Sequence, residues 1–165
     1  MEKRLFIDLD ICSECPECVA KCSYFYHPQN KGVITLLELA TYSIICRQCE
    51  EGTCVKSCPN DALEKQPDSI LKRYNLLCVS CKSCSHACPF GTIYPELVPY
   101  FVAKCDWCLD RIEERDPDCV GSCPLGAVRF QEVKESPEEG IYFVGDNLPI
   151  RSSIRWQREE VEVKR

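Results

Sequence analysis

Sixteen cysteines constrain this 165-residue chain more than any other feature, because they fall without remainder into four groups of four. The groups are Cys12, Cys15, Cys18 and Cys22; Cys46, Cys49, Cys54 and Cys58; Cys78, Cys81, Cys84 and Cys88; and Cys105, Cys108, Cys119 and Cys123. Each opens on C-x-x-C and closes on C-x-x-x-C, and only the middle gap varies, at two, four, two and ten residues. Three close on Cys-Pro, at Cys58-Pro59, Cys88-Pro89 and Cys123-Pro124, and similar tetrapeptides follow: Asn60 to Leu63, Phe90 to Ile93 and Leu125 to Val128. A unit repeated in this way sets the architecture.

Thiols at such density serve disulfides, zinc or iron–sulfur chemistry. Disulfides suit a secreted chain, but Met1 to Asp8 has no apolar signal core and no twin arginine, so a cytoplasmic, metal-binding chain is expected. Zinc sites commonly pair two C-x-x-C arms across a long loop. Here three thiols twice fall within seven residues, as in Cys78 to Cys84, and every quartet ends on C-x-x-x-C. Those spacings wrap a loop around one face of a cubane, so four 4Fe-4S clusters are the expected cofactors, with all sixteen cysteines as metal ligands.

The 45% apolar fraction overstates the core, because without cysteine only about 35% of the residues remain apolar. A chain so short of carbon needs staples, which metal would supply. No run of about 20 apolar residues is present, so no membrane span is expected. The formal charge is -6, and four oxidised clusters with their thiolates would bring the holoprotein to about -14. Nucleic acid is excluded as a partner on that balance.

Along the chain, alternation of Leu5, Ile7, Leu9 and Ile11 predicts a half-buried strand over Leu5 to Ile11. Tyr24, Phe25 and Tyr26 suit apolar cover for a cluster, and His27 to Gly32 reads as a loop. Val33 to Ile45 is a strand, or a short helix over Leu36 to Tyr42; periodicity leaves both open. Ala62 to Lys65 with Ile70 to Tyr74 predicts a hairpin, and Thr92 to Tyr94 with Tyr100 to Lys104 a second. The insert Leu109 to Asp118 suits a short amphipathic helix ending before Pro117. One helical turn is expected between the third and fourth thiol of each quartet, ended by the following proline. Beyond Phe130 the cysteines stop; Trp156, among Arg151, Arg155 and Arg158, has the composition either of a partner anchor or of a tail folded over its own domain.

In two-cluster bacterial ferredoxins the fourth cysteine of each motif ligates the other cluster. Applied here, that pattern predicts an α+β fold of two nested ferredoxin-type units with short strands, hairpins and short helices. Residues 46–90 form the inner unit, residues 1–45 with 91–130 the outer unit, and 131–165 a C-terminal extension suited to partner docking. The inner sites are Cys46, Cys49, Cys54 with Cys88, and Cys78, Cys81, Cys84 with Cys58. The outer sites are Cys12, Cys15, Cys18 with Cys123, and Cys105, Cys108, Cys119 with Cys22.

From residue 4 to about 130 the chain resembles the four-cluster, ferredoxin-like iron–sulfur subunits of anaerobic oxidoreductases. The most diagnostic stretches are Ala103-Lys104-Cys105-Asp106-Trp107-Cys108, the ten-residue insert, and Cys119 to Ala127. Such subunits accompany molybdenum- and tungsten-pterin enzymes such as formate dehydrogenase, dimethyl sulfoxide reductase, aldehyde oxidoreductase and benzoyl-CoA reductase, and also hydrogenases and carbon monoxide dehydrogenase. The resemblance implies the same crossed ligation and a catalytic oxidoreductase subunit as partner, with a further redox protein beyond it. A free-standing polyferredoxin is the alternative.

Chemistry points the same way. A cubane held by four thiolates has no open position for substrate, so it conducts and does not catalyse, and no quartet is a cysteine short. His27 and His86 have no acid or nucleophile partner in sequence, and no glycine-rich phosphate loop occurs. Trp107 reads as local packing beside the fourth quartet. The expectation is a non-catalytic electron-transfer subunit.

Overall fold

A computed structural model of the chain describes residues 3–22, 32–67, 69–95, 105, 107–108, 115–145 and 147–155. The expected aromatic cover at Tyr24 to Tyr26, most of the His27 to Gly32 loop, the strand at Tyr100 to Lys104, most of the insert before Asp118, and Trp156 lie outside them.

The first strand, β1, runs Arg4–Asp8 and is shorter than alternation suggests. At Asp8 the backbone turns into helix α1, Leu9–Ser13, and the Asp8 carboxylate accepts from the Ile11 N–H at 3.3 Å as its N-cap. A cap of this kind satisfies an otherwise orphaned donor and ends the strand four residues into the apolar pattern. Leu5, Phe6, Ile7 and Asp8 are all buried, so β1 is covered on both faces where one wet face was expected. In the sheet β1 is a central strand, between β4 (Val128–Gln131) and β6 (Leu148–Arg151), with β5 (Ile141–Val144) at the edge beyond β6. β1 pairs antiparallel with β4 (Leu5 opposite Phe130) and parallel with β6 (Ile7 opposite Ile150).

Residues 141–151, part of the cysteine-free C-terminal stretch, thus complete the sheet that begins at Arg4. The turn into β5 needs Gly140: its φ is +70°, and a Cβ there would stand 2.6 Å from the Ser152 carbonyl oxygen. Further on, the Arg155 guanidinium lies 4.3 Å from the centre of the Tyr142 ring, so the chain folds back on itself at least that far.

The stretch from Val33 resolves in favour of helix: α2 spans Gly32–Ile45. Val33, Leu36, Ala40 and Ser43 recur at helical spacing and are buried, while Glu38 and Tyr42 are buried on another face. A helix buried on two faces has weak amphipathicity, which is why its period was ambiguous. The hairpin at Leu63–Lys65 (β2) and Leu71–Arg73 (β3) forms as expected, with Glu64 opposite Lys72.

Buried apolar residues gather in two clusters. The larger joins Leu5, Ile7, Leu36, Val128, Leu148 and Ile150, with Cys18, Cys105, Cys119 and Cys123 packed against it. The smaller joins Tyr42, Leu63, Leu71, Cys84 and Ile93, with Cys46, Cys54, Cys58, Cys78 and Cys88 against it. α2 feeds both, through Val33, Leu36 and Ala40 on one side and Tyr42 on the other. No helix among the described residues is long and apolar enough to cross a membrane.

Candidate metal centres

Short helical turns carry the third cysteine of three quartets: α3 (Thr53–Lys56) with Cys54, α4 (Ser83–Ala87) with Cys84, and α5 (Asp118–Gly121) with Cys119. After each following Cys-Pro the chain makes the same turn, in which Asp61, Gly91 and Gly126 hold φ of 50°, 63° and 63°. Gly91 and Gly126 donate back to the carbonyls of Cys88 and Cys123, each at 3.2 Å. Only glycine takes that φ freely, with Asp and Asn next, and those are the residues present.

The first quartet departs from this plan. Residues 18–22 are not helical, contrary to expectation, and the helix instead stands at the start of the quartet as α1, which holds Cys12. The physical reason lies in where the segment bonds, since the Lys21 N–H donates at 2.8 Å to Ser122 Oγ, on the turn that leads to Cys123. Its backbone is thereby tied outward to the fourth quartet.

The thiols meet across quartets. One concavity is lined by Cys46, Cys49 and Cys54 together with Cys88, and a second by Cys78, Cys81 and Cys84 together with Cys58. A third is lined by Cys12, Cys15 and Cys18 together with Cys123. At the remaining quartet, the thiols of Cys108 and Cys22 act on Cys119 through space. Each of these groups combines thiols from two quartets, and apolar side chains wall the spaces, such as Leu37 and Val128 in one and Leu71 and Ile93 in another.

Such groups fit a cubane better than a single ion. Among the described residues no three His, Cys, Asp or Glu side chains stand close enough to hold one metal ion. A tetrahedral zinc with ~2.3 Å bonds would draw its sulfurs close together, whereas a cubane keeps its four ligands apart around a block of iron and sulfide.

Burial and crowding push most of the affected thiols upward. Burial is the first cause for Cys119, raised to about 12, and for Cys54, raised to about 11, with neighbouring thiols adding to it. Cys12, Cys46 and Cys84 are raised in the same direction and chiefly by burial. Two thiols go the other way. Cys81, the exposed one, is lowered by the Ser83 hydroxyl, and at Cys88 burial is outweighed by the Thr92 hydroxyl, 3.4 Å away, and nearby backbone N–H groups. Four thiols this close ionise together only beside compensating positive charge, which iron supplies.

Backbone N–H groups also point at sulfur. Ala62 donates to Cys58 at 3.2 Å, Ser80 to Cys78 and Trp107 to Cys105, each at 3.4 Å. Ser80 and Trp107, like Gln48 in the second quartet, precede the second cysteine and have φ of 54°, 59° and 51°. None of the three is glycine, so sequence offered no sign of these left-handed turns. Sequence reasoning also passed over Arg73 and Lys65. Arg73 lines the space at Cys78, and Lys65 donates to the Gln48 and Cys49 carbonyls at 3.3 and 2.8 Å beside Cys46. Of the two histidines, His86 lies at the end of α4 and His27 falls outside the described residues.

Residues 37–133, more than half of the chain, match the model of the 4Fe-4S dicluster domain. The chain is 33% identical over 150 residues to a chain of the anaerobic dimethyl sulfoxide reductase of Escherichia coli, with 79% of this chain and 73% of that relative covered. It is 31% identical over 170 residues to a subunit of the sulfite dehydrogenase of Allochromatium vinosum, with 82% and 70% covered. With the dicluster match, this similarity and sixteen cysteines in four groups of four, the chain belongs to the 4Fe-4S dicluster family and is an iron–sulfur electron-transfer subunit, not a catalytic chain.

Proposed function

We propose that this subunit relays electrons between the molybdenum- or tungsten-pterin catalytic subunit of a cytoplasmic oxidoreductase complex and an external redox partner. Its four clusters would be held by Cys12, Cys15, Cys18 and Cys123; by Cys46, Cys49, Cys54 and Cys88; by Cys78, Cys81, Cys84 and Cys58; and by Cys105, Cys108, Cys119 and Cys22. The observation that supports this reading most is the gathering of thiols from two quartets around one apolar-walled space, three times over. The names of the relatives, components of a dimethyl sulfoxide reductase and of a sulfite dehydrogenase, support a pterin-enzyme partner.

A 4Fe-4S cluster bound by four thiolates exchanges one electron with little change of shape. This chain's contribution is to hold the thiolates in rigid turns, direct backbone N–H groups at their sulfurs and keep water out with residues such as Leu37 and Leu71. We read residues 46–90 as an inner unit inserted into an outer one of residues 1–45 and 91–130. The split of the core into two clusters, each with its own cysteines, supports that division. The decisive experiment is anaerobic affinity purification from the native host, followed by metal analysis and reduction of the captured complex. Co-purification of a molybdenum or tungsten subunit whose substrate bleaches or restores the cluster absorbance is the expected result. A chain that purifies alone and exchanges electrons only with soluble carriers would sink the reading.

A further inference from the structure

The guanidinium of Arg73 is almost wholly buried, with its side chain 3% exposed, and it is gripped on one edge by Glu38, whose side chain is 9% exposed. Nε and Nη2 donate to the two carboxylate oxygens at 2.6 and 2.7 Å, a bidentate fork. The third nitrogen, Nη1, is buried without a hydrogen-bond partner of ordinary geometry. The same side chain lines the space bounded by Cys58, Cys78, Cys81 and Cys84, and the Cys78 thiol interacts with it. Glu38 does not line that space; it stands behind the arginine, on α2.

An always-charged donor has thus been placed buried against one metal site, with one nitrogen left outside the fork and a carboxylate backing it. We infer that Arg73 is a potential-setting residue for the cluster at Cys58, Cys78, Cys81 and Cys84, raising its reduction potential, and that Glu38 both positions Arg73 and moderates the charge the site feels. The sign follows from electrostatics. Reduction adds one negative charge at the site, a nearby fixed cation stabilises that state, and burial removes the solvent and salt that would screen it. Lys65, the cation at the neighbouring site, differs in that its ammonium is committed to the Gln48 and Cys49 carbonyls.

The inference rests on the ligand assignment proposed above, and the test separates the two. The full holoprotein and its variants are titrated anaerobically with a mediated potential, and the cluster signals are followed by electron paramagnetic resonance. The signal of this site is identified by its loss in Cys81→Ala. Arg73→Met is expected to lower that midpoint enough to cut the reduced-to-oxidised ratio at least tenfold at the wild-type midpoint, which is 59 mV for a one-electron couple. Glu38→Gln is expected to raise it, Arg73→Lys to leave it nearer the wild type than Arg73→Met does, and the other three midpoints to stay in place. An ion pair that only braces the fold would move both single variants the same way or leave the midpoint still, and either result overturns the inference.

Should the single variants shed the cluster because an orphaned charge is left buried, Arg73→Met combined with Glu38→Gln removes both charges together. A retained cluster with a lowered midpoint in that double variant supports the inference, because the nearer charge is the one lost; an unshifted midpoint or a lost cluster overturns it. A wild-type protein with no cluster at this site, or Cys81→Ala with all four signals intact, overturns the ligand assignment and the inference with it.

Discussion

Replacing Ile150 with alanine tests whether the C-terminal strands hold the outer metal sites. Ile150 is 1% exposed, lies opposite Ile7 across the parallel β1–β6 pair and opposite Tyr142 on β5, and belongs to the larger core cluster. Truncating a buried isoleucine to alanine costs about 2–5 kcal/mol, so with about 3 kcal/mol the sheet should open roughly a hundredfold more often. Cys18, Cys105, Cys119 and Cys123 pack on that core, whereas Cys46, Cys54, Cys58, Cys78 and Cys88 pack on the other. Iron release to a chelator should therefore split into two phases of similar amplitude, the faster accelerated about a hundredfold over the wild type. Trapping the freed thiols with iodoacetamide and locating them by peptide mass spectrometry should find the first and fourth quartets, Cys22 included, labelled ahead of Cys46 to Cys88. Uniform acceleration of all iron, or none, would refute the idea that β6 supports one pair of sites and not the other.

Protein purified without oxygen should contain about sixteen irons and sixteen sulfides per chain, since four quartets are complete; a steady yield of about twelve in metal and sulfide assays would mean one quartet is not a cubane site. Cys22→Ala should empty the site at Cys105, Cys108 and Cys119, and Cys123→Ala the site at Cys12, Cys15 and Cys18, as read from anaerobic density maps of each; the opposite pattern would mean local ligation. Raised pKa values, about 11 for Cys54 and about 12 for Cys119, mean that an uncoordinated thiolate prefers a proton everywhere below those values. Protons therefore compete with iron across the neutral range, and chelator-driven release should speed up as pH falls from about 8 to about 6; a flat profile would contradict this. Stripping the iron altogether should unfold the chain, and a cooperative melt of the apoprotein by circular dichroism would count against metal serving as core.

Spacing made the cysteine chemistry legible because loop length decides which thiols can face one cube. The likeness of the three stretches after Cys-Pro was legible too, and the structure gives its reason: Asp61, Gly91 and Gly126 hold the same positive φ, which few residue types accept. Other features left no local trace. β1 ends at Asp8 because that side chain caps α1 and also accepts from Arg151 Nη1 at 3.1 Å, a partner 143 residues away. α2 escaped assignment because it is buried on two faces and so blurs the apolar period. The pairing of Glu38 with Arg73 spans 35 residues between elements whose contact only the fold creates. The first quartet lost its expected helical turn to a hydrogen bond from Lys21 to Ser122, again a long-range choice.

α2 joins the two cores. Electron transfer between metal sites falls off with separation, so two pairs of sites on separate cores would work as one conductor only if the cores keep a fixed spacing. A chain with about 35% non-cysteine apolar residues has little carbon to spend on a broad interface between them. One helix with its Val33, Leu36 and Ala40 in the larger core and its Tyr42 in the smaller spans that gap with few residues. The fork from Arg73 to Glu38 then fastens the same helix to β3, and a planar bidentate contact resists rotation of the helix in a way that apolar packing alone does not. The buried ion pair thus serves two ends at one point: the fork holds α2 against β3, and the same arginine faces the space lined by Cys58, Cys78, Cys81 and Cys84.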